Sequence, residues 1–191
     1  QHLFINIQIM AKKVLVSGGA GYIGSHVTVE LIAAGYEVVV ADNMSNCDIS
    51  GFEGVKKITG REDIPFYEID CCDYASVDKV FTEHQIDAVI HFAASKAVGE
   101  SVEKPLKYYH NNIFSFVNLL ELAGEYNCPN IVFSSSATVY GEADVQPVTE
   151  LSPRKPASSP YGNTKQMCED ILRDTVAVNE GMKGIALRYF N

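Results

Sequence analysis

Val14-Leu15-Val16-Ser17-Gly18-Gly19-Ala20-Gly21-Tyr22-Ile23-Gly24 runs a β-branched apolar strand straight into glycines spaced Gly18-x-x-Gly21-x-x-Gly24, and then into a helical pattern. Each glycine has its own physical task. Gly18 allows the tight turn, Gly21 lets backbone approach a pyrophosphate, and Gly24 lets helix and sheet pack closely. The helix N-terminus adds free N–H donors and a positive dipole end. A glycine-rich turn with no ligand is the plain alternative. Context tips the balance. Asp42 closes the next apolar run, 18 residues past Gly24, where a carboxylate accepts hydrogen bonds from adenosine ribose hydroxyls. It would repel a 2′-phosphate, so the cofactor expected is NAD rather than NADP.

Outward from this unit the pattern repeats. Strands are expected at Val14–Ser17, Val38–Ala41, Phe66–Ile69, Ala88–Phe92, Ile131–Ser134 and Ile185–Tyr189. Most are continuous apolar runs, as strands covered on both faces must be. Helices are expected over about Ile23–Ala34, Tyr74–His84, Pro105–Tyr126 and Tyr161–Asn179, with Gly35 terminating the first. Pro105 sits in a first turn that needs no donor, and Pro160 prepares the last helix. The alternation predicts an α/β doubly wound parallel sheet, a Rossmann fold with strand order 3-2-1-4-5-6 and ligands at the strands' C-terminal ends. Two connections are long. Asp42 to Pro65 has room for a short helix, and the proline-rich Gly141 to Pro160 is expected to cover the site.

Composition sets the limits. The 191 residues carry 15 Lys and Arg against 24 Asp and Glu, a formal charge of −9. That balance argues against nucleic acid as a partner. No apolar run reaches the ~20 residues of a membrane helix. Five cysteines, Cys47, Cys71, Cys72, Cys128 and Cys168, form no C-x-x-C pair. They suit a reduced, cytoplasmic protein better than a disulfide scaffold or zinc site, and no metal is expected. Cys71-Cys72 is read as buried thiols rather than a redox pair, and His91 as a packed or capping histidine. Residues 1–9 are expected to be an extension outside the core, with residues 10–191 forming the dinucleotide domain.

Tyr161 and Lys165 stand at i and i+4, on one helical face. A free phenol with a pKa near 10 is a poor base, but a neighbouring ammonium and a positive nicotinamide ring favour its ionised form. Alone the pair is unremarkable. Ser134-Ser135-Ser136, at the C-terminal end of the fifth strand, gives it significance, because Ser136 can share a substrate oxygen with Tyr161.

GGAGYIGSH (Gly18–His26), HFAASKAVGESVEKP (His91–Pro105), SSSATVYG (Ser134–Gly141), YGNTK (Tyr161–Lys165) and LRYFN (Leu187–Asn191) together resemble the nucleotide-sugar 4-epimerases of the extended short-chain dehydrogenase/reductase family. The resemblance runs from Lys13 to Asn191. It implies an isomerase that uses NAD to interconvert a UDP-hexose at C4, UDP-glucose with UDP-galactose, through a 4-keto intermediate. It places Tyr22 and Ile23 over the pyrophosphate. Asp42, Asn43, Asn46 and Cys47 fall around the adenosine ribose, with Asp70 and Cys71 flanking the adenine. Phe92, Ala93, Ala94, Lys96 and Asn111 lie along the dinucleotide. Ser136, Tyr161 and Lys165 form the catalytic set, with Lys96 and Asn191 also on the sugar nucleotide and Phe190 by the nicotinamide.

Ser17 replaces the usual Thr, and Ala94-Ser95 stands where Gly-Leu is common. The family continues past R-Y-F-N with a last strand and a substrate domain, so the sequence reads as cut before both, with its sixth strand left as an open edge. A homodimer is implied for the full-length form. Related 4,6-dehydratases and decarboxylases share the first oxidation step, and a non-catalytic NAD-binding module is a further alternative. The dehydratases need Asp and Glu after the active-site Ser or Thr. Here those positions are Ala137 and Thr138, which favours simple epimerisation.

Overall fold

The computed structural model describes residues 12–190. The expected extension at residues 1–9, the start at Met10-Ala11 and the substrate-side Asn191 lie outside the described residues.

Six parallel strands form one sheet in the order β3-β2-β1-β4-β5-β6. They are β1 (Lys13–Ser17), β2 (Glu37–Asp42), β3 (Phe66–Glu68), β4 (Ala88–His91), β5 (Asn130–Ser136) and β6 (Lys183–Tyr189). All six expected strands are present in the expected order. β1 is buried from Val14 to Ser17, because helices cover both of its faces. Two apolar clusters lie on the two sides. One holds Val14, Val16, Val38, Val40, Phe52 and Val55. The larger is built around Leu15, Val39, Val89, Phe116, Leu119 and Phe133. Neighbours in sequence, such as Val14 and Leu15, go to opposite clusters, as the two-residue period of a strand requires. The order of strand addition reverses between β1 and β4, so the C-terminal ends of these parallel strands open a crevice at the switch point.

Helix α1 (Tyr22–Ala33) ends as read. Gly35 takes φ +88°, its N–H donates to the Ile32 carbonyl, and the Tyr36 N–H donates to that of Leu31. This is the paired closing pattern that a left-handed glycine permits. The connection after Asp42 carries α2 (Ser50–Thr59), as its length allowed, and α3 (Tyr74–Glu83) follows β3.

Three features differ from expectation. A short α4 (Val98–Glu103) precedes the long helical segment. That segment is not one helix: α5 (Pro105–Tyr109) and α6 (Ser115–Glu125) are joined by a wider π-type turn at His110–Phe114. The turn adds a residue to the helical repeat and re-aims Asn111 and Asn112 relative to a regular helix, and such turns gather at functional sites. Last, residues 141–159 line no part of the crevice. They are fastened along α7 (Pro160–Val178), where Gln166 Nε2 donates to the Val139 and Lys155 carbonyls and Arg154 pairs with Asp170. Ser159 caps α7 through the Gly162 N–H, with Pro160 as its first residue. β6 pairs with β5 alone among the described strands and leaves Ile185 and Leu187 exposed.

Candidate active site

A crevice of about 680 Å³ runs along the C-terminal ends of the strands, from β3 to β6. One end is the glycine loop. Gly18 takes φ +76°, and a Cβ there would stand 2.5 Å from the Ala93 nitrogen. A Cβ on Gly24 would lie 2.1 Å from the Gly18 carbonyl oxygen. Gly21 differs: the one neighbour a Cβ there would meet is that same carbonyl, at 3.4 Å, so its open side faces the crevice. Helix α1 begins there with no side-chain cap and no acidic residue in its first turn. The first-turn N–H groups are therefore free for an anion.

Asp42 is buried beside this loop. Its Oδ2 accepts the Ala20 N–H at 3.1 Å, and its Oδ1 accepts the Met44 N–H at 3.0 Å and the Cys47 thiol at 3.6 Å. The carboxylate thus fixes both the glycine loop and the turn after β2 while lining the crevice. Cys47 does not line it. Its thiol donates to Asp42 Oδ1, and burial and the Asp42 charge push it up to about 11.

Asp70 and Cys71 line the crevice at the end of β3. Asn118 Nδ2 clamps the loop that carries them by donating to the Cys71 and Cys72 carbonyls, both at 3.0 Å. The π-type turn packs against the same loop, with Cys72 Sγ 3.5 Å from the Asn111 carbonyl. Burial pushes the buried Cys71 up to about 12 and, with Asp70, the part-exposed Cys72 to about 11, which disfavours the thiolate in both. Within the turn, buried Asn112 accepts the Ser95 N–H and donates to the Ser95 carbonyl and to Thr164 Oγ1. It joins the segment after β4, which brings Phe92, Ala93, Ala94 and Lys96 to the crevice, to α7.

The other end is built by β5 and α7. Lys165 is buried, makes no ion pair among the described residues, and donates to the Ser134 carbonyl at 2.8 Å. Its ammonium lies 4.8 Å above the Phe133 ring, and burial lowers its pKa to about 8. Ser136 Oγ accepts the Thr138 N–H at 3.3 Å, which leaves its O–H free to donate. Tyr161 is half-buried and held above the ordinary phenol range, with the Ser136 hydroxyl beside it pulling the other way. Lys165 Nζ is 5.8 Å from the Tyr161 ring and is committed to Ser134. In this geometry burial outweighs the lowering expected from Lys165, and the Tyr161 pKa stands raised.

His91 packs as read. It is buried, stacked on Phe116 with centroids 5.3 Å apart, and bonded through Nδ1 to the Ser17 hydroxyl at 2.7 Å. Burial lowers its pKa to about 3, which keeps the ring neutral.

The structure thus brings Gly18, Gly21, Tyr22, Ile23, Gly24, Asp42, Asn43, Asn46, Asp70, Cys71, Phe92, Ala93, Ala94, Lys96, Asn111, Ser136, Tyr161, Lys165 and Phe190 to one crevice. Sequence reading missed wall residues, above all Ser115. The buried hydroxyls of Ser115 and Thr138 have no hydrogen-bond partner among the described residues. Thr138 was legible as a position in SSSATVYG. Ser115 lines the wall directly after the π-type turn, which no local pattern announces. No group of three or more potential metal ligands occurs among the described residues.

The chain is 52% identical over 184 residues to UDP-glucose 4-epimerase 2 of Arabidopsis thaliana, covering 95% of this chain and 52% of that one. It is 54% identical over 178 residues to UDP-glucose 4-epimerase of Bacillus subtilis, covering 93% and 52%. The chain spans about half the length of the curated relatives it matches. Among solved structures, UDP-glucose 4-epimerase from Bifidobacterium longum, in complex with NAD+ and UDP, superposes with a TM-score of 0.92 at 45% identity over 94% of this chain and 53% of that one. Residues 14–191 match the NAD dependent epimerase/dehydratase family as a whole, and the chain belongs to that family.

Proposed function

We propose that this chain is the NAD-binding, proton-handling half of an epimerase that inverts C4 of a UDP-hexose, interconverting UDP-glucose and UDP-galactose. The observation that carries the reading is one continuous crevice with a bare helix N-terminus, the open side of Gly21 and buried Asp42 at one end, and Ser136, Tyr161 and Lys165 at the other.

The residues present fit NAD. The α1 N-terminus and Gly21 suit a pyrophosphate, Asp42 suits ribose hydroxyls, and the orphaned Ser115 hydroxyl marks a wall built for a polar ligand. Asn43 and Asn46 are assigned to the adenosine side, Asp70 and Cys71 to the adenine, and Phe92, Ala93, Ala94, Lys96, Asn111 and Phe190 to the remaining length. When bound, NAD supplies a hydride acceptor that returns the hydride to the same sugar carbon, so it is not consumed.

The rest is done by side chains. Tyr161 takes the proton of the sugar 4-hydroxyl and later gives it back. Ser136, whose oxygen already accepts the Thr138 N–H, has its own proton to share with that sugar oxygen. Lys165 donates to the Ser134 carbonyl and has further N–H donors for the nicotinamide ribose. Binding that draws Lys165 toward the Tyr161 oxygen would lower a phenol pKa that burial now raises. Lys96 and Asn191 are assigned to the sugar nucleotide. Ala137 and Thr138 line the crevice without offering a carboxylate, which supports epimerisation over dehydration.

The five cysteines are all free, which supports a reducing, cytoplasmic location. No described helix is long and apolar enough to cross a membrane. Exposed Val102 on α4, Leu106 on α5 and Phe114 support pairing with a second copy. The test of the reaction is incubation with UDP-galactose and a chelator, using the protein extended to the length of its relatives. UDP-glucose is the expected product. A 4-keto-6-deoxy sugar would assign the site to dehydration instead.

A further inference from the structure

Tyr161, Lys165 and Glu169 follow one another at four-residue intervals along α7, so they form a single stripe with about 6 Å of helix between successive members. The first two face the crevice. Glu169 lies behind them, and its side chain is 8% exposed. Its Oε1 accepts the Ser135 hydroxyl at 2.6 Å and Arg188 Nε at 2.8 Å, and its Oε2 accepts Arg188 Nη2 at 2.7 Å and Arg154 Nη1 at 3.3 Å.

One carboxylate therefore ties α7 to β5 through Ser135, to β6 through Arg188, and to the 141–159 loop through Arg154. Arg188 extends the contact. Its guanidinium lies 4.7 Å from the centroid of Tyr140, which ends the turn carrying Ala137 and Thr138. Tyr140 in turn lies 6.0 Å from the Phe190 ring. Every segment that builds the Tyr161 end of the crevice converges on this carboxylate. The glycine loop, Asp42 and Asp70 have no connection to it.

Such a pair is a poor source of stability. Desolvating a carboxylate and a guanidinium costs about what their attraction returns, whereas the bidentate fork fixes direction closely. We propose that Glu169 is a positioning residue that sets the register of α7 against β5 and β6, and so places Tyr161 and Lys165 over the reactive end of the dinucleotide. This rests on the NAD reading above.

The test compares two ligands that share their adenosine half. Calorimetric titration of this chain with ADP and with NAD is repeated for Glu169→Ala, Glu169→Gln and Arg188→Met. ADP affinity should stay within about two-fold, since ADP lacks the nicotinamide ribose and its contacts are remote from Glu169. NAD affinity should fall about 10-fold in Glu169→Ala and Arg188→Met, because Lys165 loses its placement near the nicotinamide ribose. Glu169→Gln keeps the chain length and one acceptor oxygen, and should recover part of the loss. A simply structural role would lower the melting temperature while leaving the ratio of the two affinities unchanged. That unchanged ratio, or the same change for both ligands, overturns the proposal. ADP binding by the parent chain reports on the NAD reading by itself, so the two failures are told apart.

Discussion

Asp42 serves two partners at once, and removing it separates them. In Asp42→Ala the Ala20 and Met44 N–H groups, which the carboxylate accepts at 3.1 and 3.0 Å, lose their acceptor. A donor left dry costs about 1–3 kcal/mol, so the melting temperature should fall. Asp42→Asn keeps one acceptor oxygen and should lose less. The ligand effect is separate. A hydrogen bond to a charged group contributes about 1.5–3 kcal/mol, so losing the ribose contact should weaken NAD by roughly 10- to 150-fold. For NADP the same change also removes a repulsion. Two like charges about 4 Å apart near a protein surface repel by up to ~4 kcal/mol, so NADP should hold its affinity or gain. Calorimetric titration of the parent, Asp42→Ala and Asp42→Asn with both dinucleotides measures the selectivity directly. Equal weakening of NAD and NADP would refute the ribose assignment and leave Asp42 as a tether for the glycine loop alone.

Tyr161→Phe should abolish turnover in the extended protein, by at least the ~10²–10⁴-fold a general base contributes, with NAD affinity near the parent's; Lys165→Ala should lose both, and Ser136→Ala less than either. His91 gives a pH test. Its folded pKa, about 3, lies below the unfolded value near 6.5, so stability is fully present above pH 6.5 and falls as pH drops toward 3. His91→Gln should flatten the urea-unfolding dependence there by up to about 1.4 kcal/mol per pH unit; an unchanged slope would show that the ring titrates normally. Gly24→Ala forces a Cβ to 2.1 Å from the Gly18 carbonyl and should cost about 3 kcal/mol or more. Gly54→Ala, in α2 with nothing within 4 Å, should instead gain about 0.5–1 kcal/mol. Thermal melts of the pair check both signs.

Much of the fold was legible because a parallel sheet covered on both faces writes itself as separate apolar runs. Val38–Ala41 and Ala88–Phe92 stand out on that ground, and Gly18, Gly24 and Gly35 mark backbone conditions that few other residues meet. The site was legible where residue type and place coincide, as with Asp42 at a strand end or Tyr161 and Lys165 one turn apart. What stayed hidden depends on contacts between distant segments. The turn at His110–Phe114 breaks a pattern that reads as one helix, because Asn112 takes its partners from Ser95 and Thr164. Glu169 reads as one more polar helix residue until β6 brings Arg188 against it. The Cys47 thiol donates to the Asp42 carboxylate, a contact no local pattern announces.

In the proposed reaction hydride leaves the sugar C4 and returns to the same carbon, with Tyr161 moving only the hydroxyl proton. UDP-galactose carrying deuterium at C4, turned over in ordinary water by the extended protein, tests it in one experiment. The expected product is UDP-glucose that keeps its deuterium at C4, with none of the label replaced from solvent. Loss of the C4 deuterium to water would mean that the carbon is inverted by proton exchange, and would contradict the account.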